Sequence, residues 1–133
     1  MSPLEQIMTT KLETVPSTMS VAAAAQKMRD QRIGSLLVEQ NGEIVGIVTD
    51  TDIVRKAVAE GKDLARLSLA DIMSTPLASI ESVRSAHDAQ DMMADLGTRH
   101  LVVRKGGAIV GLVSARDLLV YYKSVSEPKI GQD

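Results

Sequence analysis

The sequence predicts an α/β protein built from two copies of one unit, and three observations carry that prediction. The stretch Ile44 to Arg55, Ile-Val-Gly-Ile-Val-Thr-Asp-Thr-Asp-Ile-Val-Arg, returns as Ile109 to Val120, Ile-Val-Gly-Leu-Val-Ser-Ala-Arg-Asp-Leu-Leu-Val. The offset is constant: Gly46 to Gly111, Asp52 to Asp117, Met28 to Met93 and Ile7 to Ile72 all differ by 65, so no gap is needed. In each copy an apolar, β-branched run ends in Thr or Ser, followed three residues later by Asp and then by a helix-like apolar run. That is a strand leading straight into a helix, twice. With 133 residues the chain is expected to form one compact module whose halves are the copies, the first over about 4–61, a connector over about 62–69 and the second over about 70–123.

Each element has a local reason. Pro3 to Met8 reads as a short lead-in helix, with Ser2 before Pro3 as its cap. Thr14-Val15 is a brief extended piece that Pro16 ends. Ser20 caps a helix over Val21 to Arg29, in which Val21, Ala24, Ala25 and Met28 recur at helical spacing as a buried stripe. Gly34 closes that helix region, Ser35 to Val38 is a strand, and Asn41-Gly42 is a strong hairpin signal into the strand Ile44 to Val48. A helix then runs from Asp50 to Glu60 and stops at Gly61.

Lys62 to Leu69 mixes charges with leucines and reads as an ordered crossover. The plan then repeats. Ser85 caps Ala86 to Leu96, Gly97 breaks the helix, Leu101 to Val103 and Ile109 to Val113 are strands around a Gly106-Gly107 turn, and Ala115 to Lys123 is a helix. The polar residues from about Ser126 are expected to fray.

Composition excludes several classes of function. Fifteen basic and 17 acidic residues leave a net charge of −2, and the chain has no Phe, no Trp and two Tyr. Nucleic-acid readers present basic faces, and single-strand readers add stacking aromatics, so that class is disfavoured. A bound base would have to lie against Ile, Val, Leu and Met. The absence of cysteine removes disulfides, thiol catalysis and thiolate metal sites. The N-terminus lacks the charged and apolar pattern of a signal peptide, no stretch approaches the length of a membrane span, and a cytoplasmic protein is the expectation.

Two readings compete for Thr49-x-x-Asp52 and Ser114-x-x-Asp117. As capping boxes, the hydroxyl accepts from a first-turn N–H while the acid bonds back to the cap and complements the helix dipole. As a ligand site, a helix N-terminus attracts an anion, and an Asp one turn in can take both hydroxyls of a ribose. Gly46 and Gly111, three residues before each hydroxyl, weaken their strands and mark close approach of a ligand or of another backbone. Asp50 faces Ala115 in the other copy, so Asp50-Thr51-Asp52 is not read as a paired-carboxylate metal site; Asp50 is a dipole partner.

Strand, glycine, hydroxyl, x, x, Asp and helix, duplicated at this spacing, resembles the paired cystathionine-β-synthase-type domain, the CBS pair or Bateman module. Ile7-Met8-Thr9 and Asp71-Ile72-Met73-Ser74 are similar to its Asp-Ile-Met-Thr lead-in, and Arg99-His100-Leu101-Val102-Val103 to its Arg-His-Leu-Pro-Val strand, with Val102 in place of the proline. The likeness covers about residues 4–123. It implies two halves of helix, strand, helix, strand, strand, helix, related by an approximate twofold with sheets packed face to face, and two clefts between them.

The resemblance also implies the site. Thr49, Asp52, Ser114 and Asp117 would hold a ribose, Gly46, Gly111, Val15 and Ile80 belong to the same nucleotide-binding set, and Arg99 and His100, assisted by Arg116, would meet a phosphate. Gly34, Ser35 and Thr51 stand at the corresponding places of the first half, so the two clefts are expected to be unequal, one phosphate-bearing and one weaker or empty. The expected function is regulatory: AMP, ADP or ATP, with NAD and S-adenosylmethionine also compatible, binds and changes shape or association. No cofactor is required. A homodimer through helix faces such as Ile53, Val54, Ala57, Leu118 and Leu119 is expected by family analogy, and an unknown protein partner would read the state. The alternative is a ligand-free structural or dimerisation adaptor. Catalysis is not expected: His87 sits among Ala and Asp on a helix with no nucleophile nearby, and no nucleophile elbow, phosphate loop or metal helix occurs.

Overall fold

A computed structural model describes residues 3–125. Ser2 and the tail from Ser126 lie outside the described residues. The order is α1 (Pro3–Ile7), β1 (Thr14–Pro16), α2 (Val21–Gln31), β2 (Ser35–Gln40), β3 (Glu43–Thr49), α3 (Asp50–Asp52) continued by π-helical turns Ile53–Val58, a 3₁₀ turn Leu69–Asp71, β4 (Ser79–Glu81), α4 (Ala86–Leu96), β5 (His100–Lys105), β6 (Ala108–Ser114) and α5 (Ala115–Val125). This is a mixed α/β chain with two three-stranded sheets, β1-β2-β3 and β4-β5-β6.

Two compact units emerge, and their boundaries differ from those of the sequence copies. One unit is Leu12–Leu77; the other joins the chain up to Lys11 with the chain from Ala78 onward. The cause is an exchange of lead-in segments. Thr9 pairs with Leu112 through two backbone hydrogen bonds of 2.8 and 2.9 Å, so the first copy's lead-in closes the second copy's sheet. Ser74 pairs with Ile47 at 2.8 and 3.2 Å, so the second copy's lead-in closes the first copy's sheet. Thr9 and Ser74, like Ile47 and Leu112, are 65 residues apart.

In the unit Leu12–Leu77, β1 runs parallel to β2, and β2 is antiparallel to β3. The Asn41-Gly42 turn has positive φ at both residues (52° and 81°), the conformation whose twist matches a two-residue hairpin. Ser20 caps α2 by accepting from the Ala23 N–H at 3.1 Å. Val21, Ala24 and Met28 turn inward onto Leu36, Val38, Val48, Ile53, Ala57, Leu69 and Ile72, and Ala25 packs at the margin. The helix ends at Arg32, in the left-handed region at φ 55°, and not at Gly34. A Cβ on Gly34 would meet Asp50 Oδ2 at 3.1 Å, so this glycine makes room for a carboxylate. The connector is ordered: the Leu67 and Leu64 carbonyls accept from the Val21 and Ala22 N–H groups at 2.8 and 2.9 Å, covering first-turn donors of α2.

The other unit repeats the sheet, with β4 parallel to β5 and β5 antiparallel to β6 around the Gly106-Gly107 turn. Ser85 caps α4, and Gly97 ends it at φ 68°. Leu4 of α1, fully buried, joins Ile80, Ala86, Ala89, Met93, Leu101, Val103, Val113 and Leu118 in this unit's core.

The helix expected over Asp50 to Glu60 is α-helical only at its start. From Ile53 the pattern widens, with the Ala59 N–H donating to the Val54 carbonyl and the Lys62 N–H to the Ala57 carbonyl, both five residues back. Its counterpart α5 is an ordinary α-helix through Val125.

Candidate functional site

Each unit ends its last sheet strand directly in a helix, and both hydroxyl–aspartate pairs close capping boxes there. Thr49 Oγ1 accepts from the Asp52 N–H at 3.1 Å, and Asp52 Oδ2 accepts from the Thr49 N–H at 3.0 Å. Ser114 Oγ accepts from the Asp117 N–H at 3.1 Å, and Asp117 Oδ2 accepts from the Ser114 N–H at 2.9 Å. Capping holds both carboxylates at the mouth of a helix N-terminus, half-buried. It occupies one oxygen of each.

The surroundings then diverge. In the second repeat, β5 places His100 opposite Ser114, and the Arg99 carbonyl accepts from the Ala115 N–H at 2.8 Å. Arg99, His100, Ser114, Arg116 and Asp117 therefore converge on one end of one sheet. With His100 neutral, two arginines against one aspartate leave a formal charge of +1. In the first repeat, Ser35 is opposite Thr49, the Gly34 carbonyl accepts from the Asp50 N–H at 3.0 Å, and Asp50 Oδ1 accepts from the Thr51 N–H at 2.8 Å.

One residue at the first site went unnoticed in the motif. Lys56 Nζ lies 3.2 Å from Asp52 Oδ1 and 3.1 Å from the Ile72 carbonyl, with Ser74 Oγ at 3.5 Å. The signal was present, since an acid four residues before a lysine on a helix forms such pairs. With Asp50, Asp52 and Lys56, this site carries a formal charge of −1.

The glycines make room for the lead-in segments. A Cβ on Gly46 would meet Met73 Sδ, the Ser74 carbonyl oxygen and Thr75 Cγ2, each at 3.0 Å, and one on Gly111 would meet Met8 Sδ at 2.5 Å. Both flank a bulge, where Val38 is opposite Gly46 but Glu39 is opposite Ile44, and Val103 and Arg104 repeat this with Gly111 and Ile109. Val15 and Ile80, each 3% exposed, have their side chains inside the cores. Ile53, Ala57 and Leu118, expected on a dimer face, are also core residues; the large apolar side chains exposed on these helices are Val54, Val58, Leu119, Val120 and Val125. His87 is exposed, its Nε2 3.4 Å from Asp91 Oδ2. Among the described residues no His, Cys, Asp and Glu cluster could hold a metal ion, and no helix is long and apolar enough to cross a membrane.

A duplicated α/β unit with a polar helix start at the end of each sheet defines a class, the tandem-repeat α/β module. The chain belongs to the CBS domain family, which matches residues 4–59 and 69–124. An uncharacterized protein of Methanopyrus kandleri is 36% identical over 104 residues, which are 77% of this chain but 53% of that protein, so the chain spans about half its length. A protein with CBS domains from Burkholderia ambifaria superposes with a TM-score of 0.85 at 30% identity, covering 92% of this chain and 90% of the other. A hexameric CBS-CP12 protein from bloom-forming cyanobacteria gives 0.83 at 29%, covering 96% and 76%. A CBS pair is in general a regulatory, ligand-binding module.

Proposed function

We propose that this chain is a regulatory sensor of an adenosine-containing ligand, with AMP, ADP or ATP first and NAD or S-adenosylmethionine as further candidates. The observation that carries the reading is the convergence of Asp117, Ser114, Arg99, His100 and Arg116 at the start of α5. A carboxylate held at a helix mouth can accept from ribose hydroxyls, and the two arginines and the α5 N-terminus favour a phosphate beside it. The ligand acts by differential binding, favouring one arrangement of the protein that a partner or a second copy reads.

Self-association is the output that the exposed apolar side chains favour. Val54 and Leu119, 57% and 71% exposed, occupy corresponding places in the two repeats, and the cyanobacterial relative is hexameric. Titration calorimetry against AMP, ATP, NAD and S-adenosylmethionine tests the reading. A carboxylate–hydroxyl bond contributes about 1.5–3 kcal/mol, so Asp117→Ala is expected to weaken binding at least about tenfold while the protein stays folded. Silence from all four ligands leaves the protein an adaptor.

A further inference from the structure

We propose that Lys56 is a specificity-determining residue that closes the first repeat's site, so that the chain takes one nucleotide, at Asp117. This rests on the sensor reading above and adds to it the residue that makes the two sites unequal.

The two aspartates are capped alike but differ in the oxygen left over. Asp52 Oδ2 holds the Thr49 N–H, and Oδ1 faces the Lys56 ammonium at 3.2 Å. Asp117 Oδ2 holds the Ser114 N–H, and among the described residues Oδ1 has no ion-pair partner. The residue at the place of Lys56, 65 positions on, is Tyr121. A ribose diol asks a carboxylate for acceptor capacity, for which the Lys56 ammonium competes at Asp52 and no cation pairs at Asp117 among the described residues.

The ammonium is seated as well as near. Lys56 Nζ donates to the Ile72 carbonyl and, at the long limit, to Ser74 Oγ, and these bonds hold its charge in an ion pair with Asp52 Oδ1. The two acceptors belong to the segment that closes the first repeat's sheet through Ile47 and Ser74. A ligand drawing on Asp52 Oδ1 must compete with an internal cation anchored to backbone. The Asp52 side of the pair is sheltered, at 14% exposed, while the Lys56 side chain is 45% exposed and water screens the pair from that side.

The test is ATP stoichiometry by calorimetry on the full chain, comparing wild type with Lys56→Met, which keeps the aliphatic stem, and Lys56→Arg, which keeps the cation. The expected result is one ATP per chain in the wild type, unaffected by Asp52→Ala and lost in Asp117→Ala. Lys56→Met gains a second equivalent that Asp52→Ala removes, and Lys56→Arg stays at one. Two equivalents in the wild type, one of them lost in Asp52→Ala, would overturn the closure while leaving the sensor reading intact. An unchanged stoichiometry in a folded Lys56→Met would overturn it too. Weaker ATP binding in Lys56→Met makes the lysine a phosphate contact and also refutes the proposal. If the wild type is silent but Lys56→Met binds through Asp52, the closure stands and the native sensor reading fails; silence from both rejects both.

Discussion

Met8 fills the space a side chain on Gly111 would need: a Cβ there would stand 2.5 Å from Met8 Sδ, 2.7 Å from its Cγ and 3.1 Å from its Cβ. Because the overlap reaches down the methionine stem, rotating its end does not relieve it. Gly111→Ala is expected to cost about 1–3 kcal/mol, the range for overpacking a close contact, read as a lower urea midpoint. Met8→Ala should make Gly111→Ala less costly than in the wild type, since contacting positions couple. Gly46→Ala meets the Ser74 carbonyl at 3.0 Å, and that residue is fixed by two hydrogen bonds to Ile47, so a similar loss is expected there. Wild-type stability in Gly111→Ala would mean the glycine serves something other than this approach.

That contact marks where the sequence was legible and where it was not. Strands, helix caps and the hairpin are local: Ser20, Ser85, Thr49 and Ser114 cap as their spacing predicts, and Asn41-Gly42 turns as its chemistry demands. The repeat named the family. What the sequence concealed is non-local. The 65-residue period shows that Ile7-Met8-Thr9 and Ile72-Met73-Ser74 are equivalent, but a period is blind to which sheet each closes. Ile53, Ala57 and Leu118 look like any apolar helix residues until the core claims them. The widened turns at Ile53–Val58 leave no mark in a sequence without Gly or Pro, and Arg32 takes a backbone region that usually selects Gly or Asn.

Arg99 should separate phosphate from ribose. Just before β5, beside the first turn of α5, its guanidinium gains a charge-assisted pair with a phosphate that a neutral nucleoside lacks. Arg99→Ala is expected to weaken ATP and AMP binding by about tenfold, the worth of one charge-assisted bond, and to leave adenosine unchanged. Competition between ATP and adenosine, measured at two salt concentrations, checks this, with the ATP difference shrinking at higher salt. An equal loss for adenosine and ATP would assign Arg99 to the fold instead.

Asp88 gives the caps a pH signature. The Ser85 backbone N–H donates to its Oδ2 at 3.2 Å, and chiefly this bond, helped by Arg84 Nε at 3.2 Å, holds its carboxyl below the usual range. A depressed folded-state value means the ionised form stabilises the fold above the unfolded value and stops doing so as pH falls through the folded one. Carboxyl titration by NMR should therefore place Asp88 on the acidic side of an unperturbed aspartate. Arg84→Ala should move the midpoint up only slightly, because the backbone bond is the leading cause. A midpoint at the ordinary aspartate value would show that the cap is not formed in solution.

The exchange of lead-in segments makes a distant residue a stabiliser of the second repeat. Leu4 is fully buried among Ile80, Leu101, Val113 and Leu118, although it precedes the first repeat's sheet in the chain. Leu4→Ala should cost about 2–5 kcal/mol, the usual range for emptying a leucine site in a core. The location of the loss is the sharper expectation. Amides of β5 and β6 should exchange faster in Leu4→Ala by local opening, before those of β2 and β3 do, since protection reflects the stability of each cooperative unit. The reciprocal change, Ile72→Ala, empties a site in the core that contains Val48 and Leu36, and should quicken exchange in β2 and β3 first. Hydrogen exchange on the two variants reads both expectations at once. Were Leu4→Ala to loosen β2 and β3 first, the lead-in helix would belong with the repeat it precedes.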